Sequence, residues 1–168
     1  TCALPIFLLK GKSRMPVAIM AMGIVFNLLN GMMQAGGLFY FAPEGLYADG
    51  WAYLLKPHAL LGIILFFAGM FVNLHSDYVI RHLRRPGDTK HYLPGKGLYR
   101  YVTSANYFGE LVEWTGFAIL TASPAAWVFV WWTFANLVPR ADAIHRRYRE
   151  EFGDEAVGKR KRIIPFLY

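Results

Sequence analysis

Three stretches of this 168-residue chain contain no Asp, Glu, Lys or Arg: residues 15–43, 57–76 and 114–139. An α-helix rises about 1.5 Å per residue, so about 20 apolar residues cross a hydrocarbon core roughly 30 Å thick. Each run is long enough to span. Charged residues make up 17% of the chain, against about 25% in a typical soluble domain. The third run carries Ser123-Pro124 near its middle, and Pro124 suits the first turn of a new helix. Extended back to Asn106, that run holds two spans joined by a tight turn across residues 121–124. The cost is to carry Glu110 and Glu113 into or near the membrane. The expected fold is therefore an all-α integral membrane protein with four full transmembrane helices. Residues 1–9 are apolar but too few to span, and read as the end of a preceding helix. With no initial Met and no signal-peptide pattern, the sequence is expected to be truncated at its N-terminus.

The basic residues orient these spans. Seventeen of the 18 Lys and Arg fall in three groups, at 10–14, 81–100 and 140–162. With four spans these groups share one side, expected to be cytosolic, while the opposite loops hold Glu44, Asp49 and Lys56. The net charge of +7 is then an orientation signal, and no nucleic-acid partner is needed to explain it. High apolar content without a fixed period excludes disorder and repeat architectures. A single cysteine, Cys2, excludes a disulfide framework and fits a reducing cytosolic face; without CxxC or HxxxH pairs no metal site is expected.

Polar residues gather in three places. In the first, Asn73, Asp77, Arg81 and Arg84 share one face of a helix that nothing breaks before Pro86. An amide, a carboxylate and two guanidiniums at a membrane boundary suit a ligand with hydroxyls and phosphates; a basic cap with Asp77 paired to Arg81 is the other reading. In the second, Gly95 and Gly97 permit a tight turn, Thr103 or Ser104 can cap the next helix, and Asn106, Glu110 and Glu113 share its face. Carboxylates entering a membrane helix point to function, although pairing with neighbouring arginines would also hold them. In the third, Arg140, Ile144 and Tyr148 form one face of an amphipathic juxtamembrane helix, with Arg147 and Glu151 on the solvated side. The apolar end of the chain, after Lys159-Arg160-Lys161-Arg162, is expected to dock. Asn30 and Gln34 interrupt the first span, lining a cavity or joining helices. His58 and His82 have no evident partner.

Together these motifs carry a resemblance. NLHSDYVIRHLRRPGD, GKGLYRYVTSANYFGELVEW, Pro139-Arg140-Ala141 after the last span, His145-Arg146-Arg147-Tyr148 and the final IIPFLY resemble the C-terminal region of steroid 5α-reductases. The resemblance runs from Lys10 to the end, so residues 1–168 are expected to form one C-terminal membrane domain matching the last part of a seven-helix bundle. It implies NADPH-dependent reduction of the Δ4 double bond of 3-oxo-steroids, or of another apolar enone. It implies NADPH contacts at Lys12, Asn73, Asp77, Arg84, Asn106, Glu110, Arg140, Tyr148 and Arg160, with Arg81 beside the phosphates. His91 stands where the family usually has Tyr, and the adjacent Tyr92 could substitute. A family run of histidines is reduced to His145, with Ala143 and Ile144 at two of those places. The family's Glu and Tyr that polarise the substrate carbonyl belong to upstream helices, so no catalytic residue is assigned here. Other open readings are a membrane enoyl-thioester reductase, an S-adenosylmethionine-dependent methyltransferase and a non-catalytic fragment. Ser104-Ala105-Asn106-Tyr107 stands where the methyltransferase would have Arg-His-Pro. The membrane is expected to be the endoplasmic reticulum in a eukaryote, or the inner membrane in a bacterium.

Overall fold

The computed structural model describes residues 17–84, 88 and 90–168, and these contain helices and no strand. The helices are α1 (Val17–Phe39), α2 (Pro57–Arg81), α3 (Ala105–Thr121), α4 (Pro124–Phe152) and the single turn α5 (Asp154–Val157). Short 3-10 segments, Gly50–Leu55 and Gly97–Arg100, precede α2 and α3. Among the described residues α1 and α2 are long and apolar enough to cross a membrane. The expected turn between two halves of the third run is present: α3 ends at Thr121, Ala122 is left-handed, and Pro124 opens α4.

The antiparallel pair α2–α3 is the centre of the fold, and four glycines make it. Gly62 and Gly69 on α2 face Gly116 and Gly109 on α3. Each pair is separated by seven residues, two helical turns, so the glycines repeat on one stripe of each helix. A Cβ on any of the four would fall under 3.0 Å from backbone atoms of the opposite helix. Without side chains the two backbones meet directly, and such close packing joins helices where lipid removes the hydrophobic drive. Ser76 and Ala105, 1% and 0% exposed, extend the buried seam toward the charged end.

α4 joins the pair through Leu137 and Ala141, which pack with Leu111 and Ile163. It runs unbroken through Pro139 into the basic segment. α1 is peripheral, with Gly37 its one buried residue. It touches α4 where Phe26 meets Phe129 and Trp132, and the Gln34 amide donates to the Ala125 carbonyl at 3.2 Å. Of the two readings of Gln34, helix joining is the one the structure supports. His58 and His82 each gain a neighbour, the Tyr53 hydroxyl at 3.3 Å and the Tyr78 carbonyl at 2.8 Å.

That second contact corrects an expectation. α2 ends at Arg81, not near Pro86. The His82 ring and backbone both take the Tyr78 carbonyl, and Leu83 N–H turns back to Ile80 in a tightened last turn. Arg84 therefore lies beyond the helix and does not share its face. The expected cap also differs. Ser104 is the N-cap of α3, yet its hydroxyl makes no capping bond and is buried without a partner among the described residues.

The chain end docks at that point. Thr103 and Ser104 N–H donate to the carbonyls of Lys161 and Arg162 at 2.9 and 3.1 Å, and Lys161 N–H returns to Tyr101 at 2.8 Å. Ile163 is fully buried, Arg162 pairs with Asp142 at 2.6 Å, and the Ile163 and Ile164 N–H groups both reach the Tyr168 carbonyl. The tail is thus stapled to the start of α3 and to α4, which brings the basic ends of three elements together.

Candidate functional site

The glycine contact decides which polar groups meet. With no side chain on Gly109, the Asn73 backbone passes so close that a Cβ there would lie 2.5 Å from its nitrogen. Around this point two amide–carboxylate pairs bridge the helices. The Asn73 amide, 8% exposed, faces the Glu113 carboxylate, and one turn further along α2 Asp77 faces the Asn106 amide. The Asn106 carbonyl oxygen accepts from the Tyr99 hydroxyl at 3.4 Å, which directs the amide N–H groups at Asp77. Glu110, half-buried, lies on the same side and close enough to Glu113 for their charges to interact. The expected pairing of these carboxylates with arginines is therefore replaced, for Glu113, by an amide.

Beyond these rungs the site turns cationic. Arg81 lies beside Asp77. Tyr148 of α4 is close to Tyr107, Arg84 and Glu151, and Tyr99 to Tyr148 and Asp77. Burial pushes the Tyr99 phenol far above its ordinary range and raises that of Tyr148, so both are neutral hydrogen-bond donors. Arg84 also faces Asp88 and Tyr92, whose hydroxyl donates to the Asp88 carboxylate at 2.7 Å. Neither Arg81 nor Arg84 forms an ion pair among the described residues.

The structure thus brings Asn73, Asp77, Arg81, Arg84, Asn106, Glu110 and Tyr148 into one neighbourhood. His91 is held at its edge, 2.6 Å from Glu151 and 3.3 Å from Arg147. Arg160 donates to the Pro94 carbonyl at 2.8 Å, bracing the loop that carries His91. Arg140 is exposed on α4, and no hydrogen bond or ion pair holds it among the described residues. Lys12 lies outside the described residues. Tyr99 and Tyr107 were not anticipated, because single aromatics outside a periodic face give no sequence signal. The glycine stripe was also missed, although the paired seven-residue spacing was visible.

His145 carries a pH dependence. Its ring is buried against Thr103, 3.3 Å away, and Thr103 in turn holds the tail carbonyl of Arg162 at 3.2 Å. Burial, then the charges of Arg162 and Arg149, lower its pKa from the ordinary 6.5. A lowered histidine pKa means the unfolded chain binds the extra proton first. Stability is then complete above about pH 6.5 and falls as the pH drops below it. Asp142 is lowered too, chiefly by its bond to Arg162, so its contribution is lost only in the more acid carboxylate range. The melting temperature of the full-length protein in detergent should fall between about pH 7.5 and about pH 5.5, and His145→Gln should flatten that fall. An unchanged slope in the variant would remove His145 as the cause.

A polar seam thus lies between α2 and α3, with Arg81 beside Asp77 and Arg84 beside Asp88 at one end. Residues 13–168 match the family model described as 3-oxo-5-alpha-steroid 4-dehydrogenase, and the chain belongs to that family. It is 42% identical over 167 residues to 3-oxo-5-alpha-steroid 4-dehydrogenase 1 of Macaca fascicularis, covering 99% of this chain and 61% of that protein. The Homo sapiens protein of the same name is 41% identical over 99% of this chain and 62% of its own length. Steroid 5-alpha-reductase DET2 of Arabidopsis thaliana is 36% identical over 94% and 59%. The chain thus spans about three fifths of the length of these relatives.

Proposed function

We propose that this chain is the cofactor-holding part of a membrane reductase that saturates the Δ4 double bond of 3-oxo-steroids with NADPH. The observation that carries the reading is the pair of amide–carboxylate rungs, Asn73–Glu113 and Asp77–Asn106, set beside Arg81 and Arg84. The donor set fits NADPH chemically. Amides and carboxylates take a carboxamide and ribose hydroxyls, and guanidiniums that form no close ion pair among the described residues take phosphates. NADPH, when bound, supplies the hydride for the β-carbon of the enone.

The residues of this chain bind and orient. Asn73, Asp77, Asn106 and Glu110 set the nicotinamide and its ribose, while Arg84 and Tyr148, with Arg140 and Arg160, hold the phosphates. Asp77 fixes the Asn106 amide, and Tyr99 fixes its oxygen, so the amide faces its ligand in one orientation. The apolar flanks of α2 and α3 keep water from the seam. No residue of this chain is assigned to polarising the steroid carbonyl. In this reading α3 and the apolar half of α4 also cross the membrane, giving four full spans within a seven-helix bundle and placing the basic segments in the cytosol. The membrane would be the endoplasmic reticulum of a eukaryotic cell or the inner membrane of a bacterial one.

The test is NADPH binding by the detergent-solubilised chain, followed by loss of nicotinamide absorbance on adding a Δ4-3-oxo-steroid. Binding without turnover is expected from residues 1–168, and turnover from the full-length protein. Turnover with an enoyl thioester and none with the steroid would redirect the substrate class. Absence of binding by the full-length protein would remove the cofactor reading.

A further inference from the structure

The outer side of α2 carries a second feature, about half a helical turn away from Asn73. Phe71, Val72 and His75 line an apolar cleft of about 300 Å³ with Leu98 and Tyr101. His75 stacks on Phe71 at 6.0 Å and fits against Gly97, whose positive φ of 59° brings the backbone close. Tyr101 also lines a second cleft, about 540 Å³, whose walls include Arg100, Lys159, Lys161 and Phe166, and Arg160, whose guanidinium is committed to the Pro94 carbonyl. The two clefts therefore adjoin, apolar toward the span and basic toward the tail. Arg100, Lys159 and Lys161 form no ion pair among the described residues, and no acidic side chain lines the second cleft.

Phe166 marks the junction. It is 78% exposed, its ring lies 5.2 Å from that of Tyr101, and its φ of 67° is rare for a residue with a side chain. A left-handed phenylalanine is held only when its surroundings enforce it. Here the Ile163 and Ile164 N–H groups on the Tyr168 carbonyl close the tail into a loop around it. The result is an exposed aromatic pair between an apolar wall and three unpaired cations.

We propose that this groove holds one anionic glycerophospholipid of the cytosolic leaflet, its phosphate among Arg100, Lys159 and Lys161 and its glycerol and upper chains along Phe71, Val72 and His75. Charge complementarity selects the head: basic groups at a membrane surface attract anionic lipid, whereas a zwitterionic head brings its own cation into the same cleft. Continuity of the apolar wall with the spanning part of α2 selects a lipid over a soluble phosphate. The occupant sits outside the α2–α3 seam and meets the proposed cofactor residues only at Arg160, so it anchors the tail to the membrane. The inference rests on the reading that the protein spans the membrane.

Full-length protein in nanodiscs of phosphatidylcholine would be doped with photo-crosslinking phosphatidylglycerol or, separately, phosphatidylcholine of the same chains, and labelled peptides mapped. Labelling of residues 96–102 and 159–168 should be at least about tenfold higher with phosphatidylglycerol. It should drop to the phosphatidylcholine level in R100Q/K159Q/K161Q and persist in the charge-keeping R100K/K159R. Equal labelling by the two lipids in the unmodified protein would overturn the proposal, as would labelling confined to other peptides. Displacement by inorganic phosphate would show an ion site and overturn the lipid. Recovery of the protein without detergent would overturn the membrane reading itself, a result that lipid selectivity cannot imitate.

Discussion

A single methyl group on Gly69 should unfold the helix pair. Gly69→Ala places a Cβ under 3.0 Å from the Glu113 nitrogen and α-carbon and from the Gly109 carbonyl, all backbone atoms that cannot rotate away. The helices must separate, and separation along this stripe also breaks the contacts at Gly109, Gly62 and Gly116. Overpacking a filled site costs about 1–3 kcal/mol, more where no side chain can yield, which places Gly69→Ala at or above the top of that range. In a helix alone the same change would help by up to about 1 kcal/mol. Gly23 on α1 supplies the control, because nothing lies within 4 Å of its would-be Cβ. Expressed as full-length protein, Gly69→Ala should aggregate or melt many degrees lower on size-exclusion and thermal-unfolding assays, while Gly23→Ala should match or exceed the parent. Equal behaviour of the two variants would show that α2 and α3 are not packed backbone to backbone. The expectation extends to function, since the Asn73–Glu113 and Asp77–Asn106 rungs exist only at this separation.

The same stripe explains what could and could not be seen in the sequence. Uncharged runs gave the helices, and the turn at Ser123-Pro124 was legible because proline suits the first turn of a helix, with Ser before it. The shared faces of Asn73 with Asp77, and of Asn106 with Glu110, were legible because helical spacing is fixed. Which face meets which was not legible, because it depends on how close two backbones come, and glycine reads equally as flexibility or as contact. The end of α2 was misplaced for a different reason. Sequence rules look for proline or glycine, whereas this helix ends where Leu83 N–H turns to the Ile80 carbonyl, a switch to i→i+3 bonding that no residue type announces. Docking of the tail was foreseen from six mostly apolar residues after a basic run; its partners, Thr103, Ser104 and Asp142, are distant in sequence and carried no mark. His91 shows the limit of motif transfer. It keeps its place in the loop, but Glu151 and Arg147 draw its ring to the edge of the site, while Tyr92 takes the side nearer Arg84.

Arg84→Ala should raise the NADPH requirement of the full-length enzyme by roughly 10–100-fold with little change in turnover at saturating cofactor. The magnitude follows from a charged hydrogen bond being worth about 1.5–3 kcal/mol, at about 1.4 kcal/mol for each tenfold in affinity. The separation of effects follows from position. Arg84 stands past the end of α2, beyond Arg81 and beside Tyr148, and the proposed reading assigns it to the phosphate end of the cofactor and not the nicotinamide. An interaction made equally in ground and transition states changes KM and leaves kcat. Its freedom from ion pairs in the described structure matters here, because no intramolecular bridge has to be broken when phosphate arrives. Arg147 offers the contrast: it is exposed and already engaged, 3.8 Å from Glu151 in an i, i+4 pair and 3.3 Å from His91. Arg147→Ala should leave cofactor affinity within about twofold, as expected for a surface pair of that kind. Arg84→Lys should recover only part of the loss, since an ammonium cannot grip phosphate in two places. An unchanged NADPH affinity in Arg84→Ala would move the phosphates elsewhere, and Arg81, on the last turn of α2, would be the next position to test.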